Sequence, residues 1–343
     1  QLPLAIQLGD VQGRNLRIQP AGAEPIVIDA INLRARADAD GLRIETFEAR
    51  SPLGDAQLNG QLNPVGNYPL QLQLSWRLPT PDYGEFHGQG EIRGALREQL
   101  ELTQQIKCAA QLELIGAVRD LFTEPAWSAQ AKLQAADLKP LVAELAGNPL
   151  NAQIKAQGVM ARFSGEGELT TTLPELGATH LRFVAAGDEQ GVKLDSLKLT
   201  TPQRPLALDA KGEVQFQELR FKVAGQWRSL VWPLTGPPQV ESAQGELSAE
   251  GVPTDYRFQL TAEVQGPEIP KGRWTLSGQG SDQAVRGVQF KGQTLEGVLQ
   301  GNANVAWLPA VSWQATLSGE GLNPGAHWKE LPGKLNLRLK SDG

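Results

Sequence analysis

The sequence predicts an all-β fold built from many short strands. Three observations indicate it: apolar and polar residues alternate in short runs, turn residues are frequent, and helical periodicity is scarce. The chain holds 37 glycines and 23 prolines, and these residue types separate the alternating runs. Together the runs predict one long sheet with a continuous apolar surface, and what covers that surface should decide the function.

Each alternating run predicts a strand with one apolar and one hydrophilic face, because successive side chains of a strand point to opposite faces. In the first clear run, Leu70, Leu72 and Leu74 alternate with two glutamines. The candidate lining residues of the apolar surface come from such runs. They are Leu70, Leu72, Leu74, Val192, Leu194, Leu206, Leu208, Leu219, Phe221, Val223, Phe258, Leu260, Leu335, Leu337 and Leu339.

Strand number and helix content follow from the turn spacing. Turns about every ten residues predict about 25 strands at the usual strand length. Because neighbouring strands lie about 4.8 Å apart, such a sheet would be roughly 100–120 Å long. Breaks in the strand pattern predict short helices at Ala117–Leu121, Lys139–Leu145 and Asn323–Leu331.

Composition and charge exclude several classes of protein. The 343 residues carry 32 basic and 38 acidic side chains, a formal net charge of -6, so we expect no nucleic-acid partner. No apolar run approaches the length of a membrane-spanning helix. The chain begins with Gln1 and shows no signal peptide, so we expect a fragment whose membrane anchor lies upstream. Its single cysteine, Cys108, allows no internal disulfide.

Internal duplication predicts the domain organisation. The segment that begins at Ala30 is similar to the segment that begins at Ala178, and further matches follow in the same order. They include Leu33-Arg34 with Leu181-Arg182, Gly60 with Gly212, and Trp127 with Trp313. We therefore expect the tail of a preceding unit at 1–29, repeat units at 30–158 and 178–343, and connecting strands at 159–177.

No residue pattern indicates catalysis. The three histidines, His87, His180 and His327, lie far apart and lack metal-ligand spacing. Gly88-Gln-Gly90 is followed by a strand-like segment rather than a helix, which argues against a phosphate-binding loop. Cys108 has no evident catalytic partner, and the carboxylates alternate with apolar residues as on a solvated strand face. We expect no enzyme activity, no cofactor and no metal.

The eight tryptophans allow two interpretations. They are Trp76, Trp127, Trp227, Trp232, Trp274, Trp307, Trp313 and Trp328. Their rings could anchor strand ends while the indole N–H groups reach a hydrogen-bond partner. Alternatively, they could line a lipid-binding or ligand-binding surface.

Two phrases resemble the TamB family of AsmA-like proteins. The first is Trp227-Arg-Ser-Leu-Val-Trp232-Pro-Leu234, a W-x-x-L-x-W-P-L pattern. The second runs from Trp307-Leu-Pro through Gly321-Leu-Asn-Pro-Gly325 to Leu331-Pro-Gly333. The resemblance covers residues 190–343 well, and the first unit fits as a divergent copy in which Trp76 is not followed by Trp-Pro-Leu.

The resemblance implies a fold and a function. The family's sheet is curled into a U-shaped groove, called a β-taco or repeating β-groove, with an apolar interior. Its members are anchored in the inner membrane, extend through the periplasm, and are linked to phospholipid movement and to outer-membrane assembly with a TamA-like barrel. We therefore expect a periplasmic fragment of an anchored protein, whose groove shelters phospholipid acyl chains and whose docking regions for the barrel lie outside this fragment.

Alternation alone leaves other readings open. Two ordinary β-sandwiches would show the same pattern on their inner faces. An exposed edge strand could instead pair with nascent outer-membrane β-strands, as a chaperone would. A glycan-binding adhesin built of sandwiches is a further alternative.

Overall fold

A computed structural model describes residues 6–18, 26–39, 41–80, 84–108, 110–135, 147–173, 176–202, 205–233 and 237–343. The chain divides into two compact units, Gln1–Leu169 and Thr170–Gly343. Each unit is an antiparallel sheet, so the predicted all-β fold is confirmed. The finer division at 29, 158 and 177 stays a prediction.

The first unit contains ten complete strands. They are β1 (Ile6–Ile18), β2 (Ile26–Asp38), β3 (Gly41–Ser51), β4 (Gly54–Leu62), β5 (Pro69–Thr80), β6 (Gly84–Ala95), β7 (Gln99–Lys107), β8 (Gln111–Arg119), β9 (Ala126–Ala135) and β10 (Leu150–Val159). Each of these strands pairs antiparallel with the next one in sequence. Strand β11 (Arg162–Leu173) contains the boundary between the units.

The second unit repeats this arrangement. Its strands are β12 (Gly177–Asp188), β13 (Gly191–Thr200), β14 (Ala207–Gln215), β15 (Arg220–Trp232), β16 (Val240–Val252), β17 (Asp255–Gln265), β18 (Gly272–Gly280), β19 (Ala284–Thr294), β20 (Gly297–Ala306), β21 (Ser312–Leu322) and β22 (Leu335–Asp342). Consecutive strands again pair antiparallel.

The strand register puts apolar residues on one face of each sheet. Directly paired residues of antiparallel strands point to the same side, so a chain of such pairs defines a row. In unit 1 the central row is Leu8, Ala35, Ile44, Gly60, Leu72, Ile92, Leu102, Gly116, Ala129 and Ala156. In unit 2 it is Phe183, Leu197, Ala210, Gly225, Leu247, Leu260, Leu276, Phe290, Gly301, Leu317 and Leu339. We call the sheet side that carries each central row its apolar face, and the opposite side its polar face.

Within the described residues, no second protein layer closes over the apolar face. Among the described residues, no large side chain is less than 2% exposed, whereas a closed sandwich core contains many such side chains. The buried apolar residues are mainly alanines, such as Ala35 and Ala262. The alternative of two β-sandwiches is therefore wrong, and an open antiparallel sheet is confirmed in each unit.

Bulges bend the strands along both sheets. The register shifts between Ile44 and Phe47 in β3 and between Arg286 and Gln289 in β19, among other places. A bulge adds a residue to one strand and increases its local bend and twist. Because the added residue is left out of the pairing, apolar residues on either side of the bulge stay on the same face.

Aromatic rings on the apolar face lie against glycines of the next strand. A Cβ atom at Gly88 would overlap the indole of Trp76, and one at Gly245 would overlap the indole of Trp227. Gly292 has the same relation to Trp274. The large rings therefore lie flat along the sheet instead of standing away from it.

The short helices were predicted with mixed success. Ala117 lies inside β8, where Val118 pairs with Leu100 and Trp127, so a helix at Ala117–Leu121 is wrong. Lys139–Leu145 lies outside the described residues. At Asn323–Leu331 the structure has only a single 3-10 turn, Pro324–Ala326. The described residues contain 22 strands rather than about 25, because the strands are 8–13 residues long, at or above the upper end of the usual strand length.

Replacing Gly88 by alanine should destabilise unit 1. The added methyl group would displace the Trp76 indole, and we expect the free energy of unfolding to fall by about 1–3 kcal/mol. The matched control is Gly116→Ala, since a Cβ there would meet nothing nearer than 3.4 Å. Urea unfolding measures both variants, and equal midpoints would contradict the packing described here.

Candidate functional site

The candidate site is the apolar face, because its side chains are apolar and yet remain uncovered by the chain. Strand β5 shows the pattern: Leu70, Leu72 and Leu74 are half-buried, whereas Gln71 and Gln73 are exposed. The leucines contact their neighbours along the face, and the glutamines extend into solvent. Each sheet therefore presents one hydrophobic and one hydrated side.

Most of the predicted lining residues lie in strands on this face. Leu72 belongs to the central row of unit 1, and Leu260 and Leu339 belong to that of unit 2. The others share the face through direct pairing with neighbouring rows: Leu70 with Leu62, Leu74 with Leu58, Val192 with Val214, Leu194 and Val223 with Gly212, Leu208 with Trp227, Phe221 with Val214, Phe258 with Ala249, Leu335 with Leu322, and Leu337 with Gly319.

Two predicted lining residues lie outside the strands. Leu219 occupies the turn between β14 and β15 with φ 49° and is 58% exposed, so its assignment to a strand is wrong. The alternation of Leu219 with Phe221 suggested a longer strand, but the chain reverses direction before Phe221. Leu206 precedes β14 and is buried, and its carbonyl oxygen accepts a hydrogen bond from the backbone N–H of Thr201.

The register adds residues that the sequence reading did not select. Ile92 and Leu102 continue the central row of unit 1, and Leu276, Phe290 and Leu317 continue that of unit 2. Gln104 also lies on the apolar face, since it pairs with Gly90 and Leu114. The alternation of Leu100, Leu102, Gln104 and Ile106 was the available signal for Gln104.

The structure places tryptophans both on the apolar face and at strand ends. The rings of Trp76 and Trp227 lie on the apolar face, and their N–H groups donate to Gln104 Oε1 at 3.1 Å and to Ser242 Oγ at 2.9 Å. Trp307 and Trp313 border strand ends and donate to the Asp282 carbonyl oxygen at 2.9 Å and to Ser341 Oγ at 3.0 Å. Tryptophan therefore both lines the face and anchors strand ends.

The polar face carries pairs of charged residues. Arg77 donates to Asp55 Oδ2 at 2.6 Å and to Glu85 Oε1 at 3.0 Å. The hydrogen bond that Arg77 donates to Asp55, and the negative charges of Asp55 and Glu85, raise the pKa of the Arg77 guanidinium. A hydrogen bond to Asp195 likewise raises the pKa of Lys193. These side chains are exposed, so the pairs keep the face hydrated and add little stability.

A cleft of about 990 Å³ lies over strands β17–β22. Its lining includes Thr275, Ser277, Lys291 and Arg338, which are polar residues directly before or after members of the central row. The lining also includes six central-row residues, Leu260, Leu276, Phe290, Gly301, Leu317 and Leu339, so the cleft follows the central row of unit 2.

The histidines and the cysteine form no reactive cluster in the described part of the chain. His87 Nε2 lies 3.0 Å from Glu85, and His327 Nε2 lies 3.0 Å from the Pro267 carbonyl oxygen. Cys108 Sγ accepts a hydrogen bond from the backbone N–H of Ala110. Within the described residues, no group of three or more His, Cys, Asp or Glu side chains could hold a metal ion.

Fold and site together define a protein of open antiparallel β-sheets, in which each of two units exposes an apolar face. The family described as TamB, N-terminal domain, matches residues 1–218 and 203–343. The matches extend over the entire sequence, so the chain belongs to the TamB family, as the tryptophan phrases predicted. No solved structure matches the chain.

Membership of the family indicates the compartment and the general role of its proteins. The TamB family comprises inner-membrane-anchored periplasmic proteins that act with TamA in outer-membrane assembly, as a transport and assembly component. Within the described residues, no helix combines the length and apolar character needed to cross a bilayer.

Replacing Ser242 by alanine should destabilise unit 2. Ser242 Oγ accepts the indole N–H of Trp227 and donates to the Gln244 carbonyl oxygen at 3.2 Å. Its loss leaves a buried donor unpaired, and we expect a loss of about 1–3 kcal/mol in the free energy of unfolding. Urea denaturation monitored by tryptophan fluorescence measures it. Ser248→Ala, on the polar face of the same strand, is the control, and equal losses in the two variants would contradict this role.

Proposed function

We propose that the apolar face binds phospholipid acyl chains, and that the chain is a periplasmic, non-enzymatic conduit for phospholipid between the inner and outer membranes. The observation that carries the proposal is the uncovered apolar face, whose central row runs through ten strands in unit 1 and eleven in unit 2. Movement of lipid along this face would support outer-membrane assembly.

The hydrophobic effect supports an apolar occupant. Soluble monomers usually expose contiguous apolar patches of roughly a few hundred Å², and larger patches mark binding sites. Large apolar side chains of the apolar face, such as Leu8, Leu247 and Leu339, are exposed in the structure. An acyl chain gains about 0.8 kcal/mol for each methylene that it buries, so lipid tails would cover such a face favourably.

The uniformity of the face supports movement rather than fixed binding. Successive strands offer leucine, isoleucine, phenylalanine, alanine or glycine at the positions of the central row, so a hydrocarbon chain meets apolar surroundings at each step. An occupant that has nearly equal free energy at neighbouring positions can slide between them. Because the sheet is open, a charged head group can stay in water while the tails lie on the face.

Photo-crosslinking tests the proposal directly. A photo-reactive residue at Leu72 or Leu208 should crosslink phospholipid in membrane-containing cells, because both side chains lie on the apolar face. A photo-reactive residue at Gln73, in the strand of Leu72, or at Gln226, in the strand next to that of Leu208, should not crosslink phospholipid, because both positions lie on a polar face. Mass spectrometry of the adducts identifies the partner. Peptide adducts in place of lipid at Leu72 and Leu208 would refute the conduit and favour the strand-pairing chaperone.

Charges on the apolar face should block lipid binding. Replacing both Leu72 and Leu208 by arginine puts a guanidinium where an acyl chain would lie, and burying an unpaired charge is strongly unfavourable. We expect lipid crosslinking elsewhere on the face to fall at least tenfold while circular dichroism keeps its β signal. The double variant Gln73→Arg/Gln226→Arg is the control. Equal crosslinking in the two double variants would count against the proposal.

A further inference from the structure

Gln104 is a buried polar residue on the apolar face of unit 1. It lies in β7 between Leu102 and Ile106 on the same side, and it pairs directly with Gly90 and Leu114. Its side chain and backbone together are only 6% exposed. Burying a glutamine among leucines is unfavourable unless its amide is fully hydrogen-bonded, so this position requires an explanation.

The Gln104 amide has a hydrogen-bond partner for its oxygen but none for its nitrogen. Oε1 accepts the indole N–H of Trp76 at 3.1 Å, and this bond fixes the orientation of the amide, because a flipped amide would put two donors together. Nε2 is shielded from water and has no hydrogen-bond partner. A buried donor without a partner costs about 1–3 kcal/mol, which a leucine at this position would avoid.

The backbone beside Gln104 leaves room for the amide. A Cβ atom at Gly90 would overlap Nε2 of Gln104, so glycine is needed for the amide to lie against the sheet. The fold therefore holds an unpaired N–H donor in a defined place on a hydrocarbon surface.

The apolar face of unit 2 holds a second donor of this kind. Nε1 of Trp274 is buried and without a partner, in contrast to the indole nitrogens of Trp76 and Trp227. The nitrogen lies above Gly272, where an added Cβ would be 3.0 Å away. Among the described residues, each unit thus holds one buried, unpaired nitrogen donor on its apolar face.

We propose that Gln104 Nε2 and Trp274 Nε1 are binding points for the ester carbonyl oxygens of acyl lipids. This inference rests on the proposed function, since it concerns the occupant of the same face. An ester carbonyl accepts hydrogen bonds, carries no charge and is attached to a hydrocarbon chain. Both nitrogens are shielded from solvent in the lipid-free chain, so the carbonyl reaches them when the tail displaces the side chains that cover them.

The surroundings favour an ester over a carboxylate. The neighbours of Gln104 on the face are Leu74, Leu102, Ile106 and Leu114, together with the Trp76 indole, and none of them is a cation. A fatty-acid carboxylate would bring an uncompensated charge to this surface, at a much larger desolvation penalty than a neutral ester. The two donors would thus select for esterified acyl chains.

A comparison of ester and ether lipids tests the inference. The probes are a diacyl phospholipid and its dialkyl ether analogue, which has the same chains and head group but no carbonyl oxygens. A hydrogen bond of ordinary net strength predicts that the unaltered chain binds the ester lipid about three- to tenfold more tightly. The substitution Gln104→Leu together with Trp274→Phe should remove this preference and leave ether-lipid binding at least as tight.

The control makes the same change on the opposite face. Gln105 follows Gln104, is exposed and points to the polar face, so Gln105→Leu should keep the ester preference. Infrared spectroscopy gives a second measurement: the ¹³C-labelled ester carbonyl band should lie at lower wavenumber on the unaltered chain than on the Gln104→Leu/Trp274→Phe variant. This band reports hydrogen bonding to the carbonyl itself and does not depend on the stability of the variant.

The outcomes separate the inference from the proposed function. Equal binding of the ester and ether lipids by the unaltered chain would overturn the ester selection and leave the conduit intact. The same conclusion would follow if the ester preference, or the shifted carbonyl band, survived in the Gln104→Leu/Trp274→Phe variant. Failure to bind either lipid would refute the proposed function itself.

Discussion

The structure depends on one constraint: every strand must keep its apolar residues on the same side of the sheet. The side-chain period of a strand is two, so a slip of one residue in register would move an entire set of leucines to the hydrated face. The direct pairs from Phe183 in β12 to Leu339 in β22 show that the constraint holds across unit 2. Bulges such as that between Arg286 and Gln289 absorb an extra residue and preserve the alternation.

Glycine and tryptophan act together to keep the face smooth. Each large ring on the apolar face needs room on the neighbouring strand, and Gly88, Gly245 and Gly292 supply it. Polar partners such as Ser242 then satisfy an indole N–H within an otherwise apolar surface. Where such a partner is missing, as at Trp274, the surface keeps a defined capacity to bind an acceptor.

Local alternation was enough to predict the all-β fold and most residues of the apolar face. The run from Leu70 to Leu74 is a strand with the predicted faces, because strand geometry fixes which side chains share a side. The prediction of a strand was wrong at Leu219, where a turn interrupts the alternation. The prediction of a helix was wrong at Ala117, where pairing with neighbouring strands outweighs the local helix signals. In both cases the outcome depends on contacts with neighbouring parts of the chain, which a periodic pattern does not contain.

Other features of the site could not be read from periodicity at all. Which residues of different strands form a row depends on turn lengths and bulges, so Leu276 and Phe290 emerged only from the register. The alternation did place Gln104 beside apolar residues, but its unpaired nitrogen depends on the position of the Trp76 indole. The absence of a covering layer is likewise a property of the folded chain, since a sandwich would show the same alternation.

The claim that the chain leaves its apolar face uncovered is tested most directly by spin-label accessibility. A nitroxide is attached to a cysteine at Leu276 on the apolar face or at Thr275 on the polar face, in a chain whose Cys108 is replaced by serine. In lipid-free protein, both labels should collide with a water-soluble paramagnetic relaxation agent, and added phospholipid should protect only the label at Leu276. A label at Leu276 that is already inaccessible in lipid-free protein would contradict the account, because the chain itself would then cover the face.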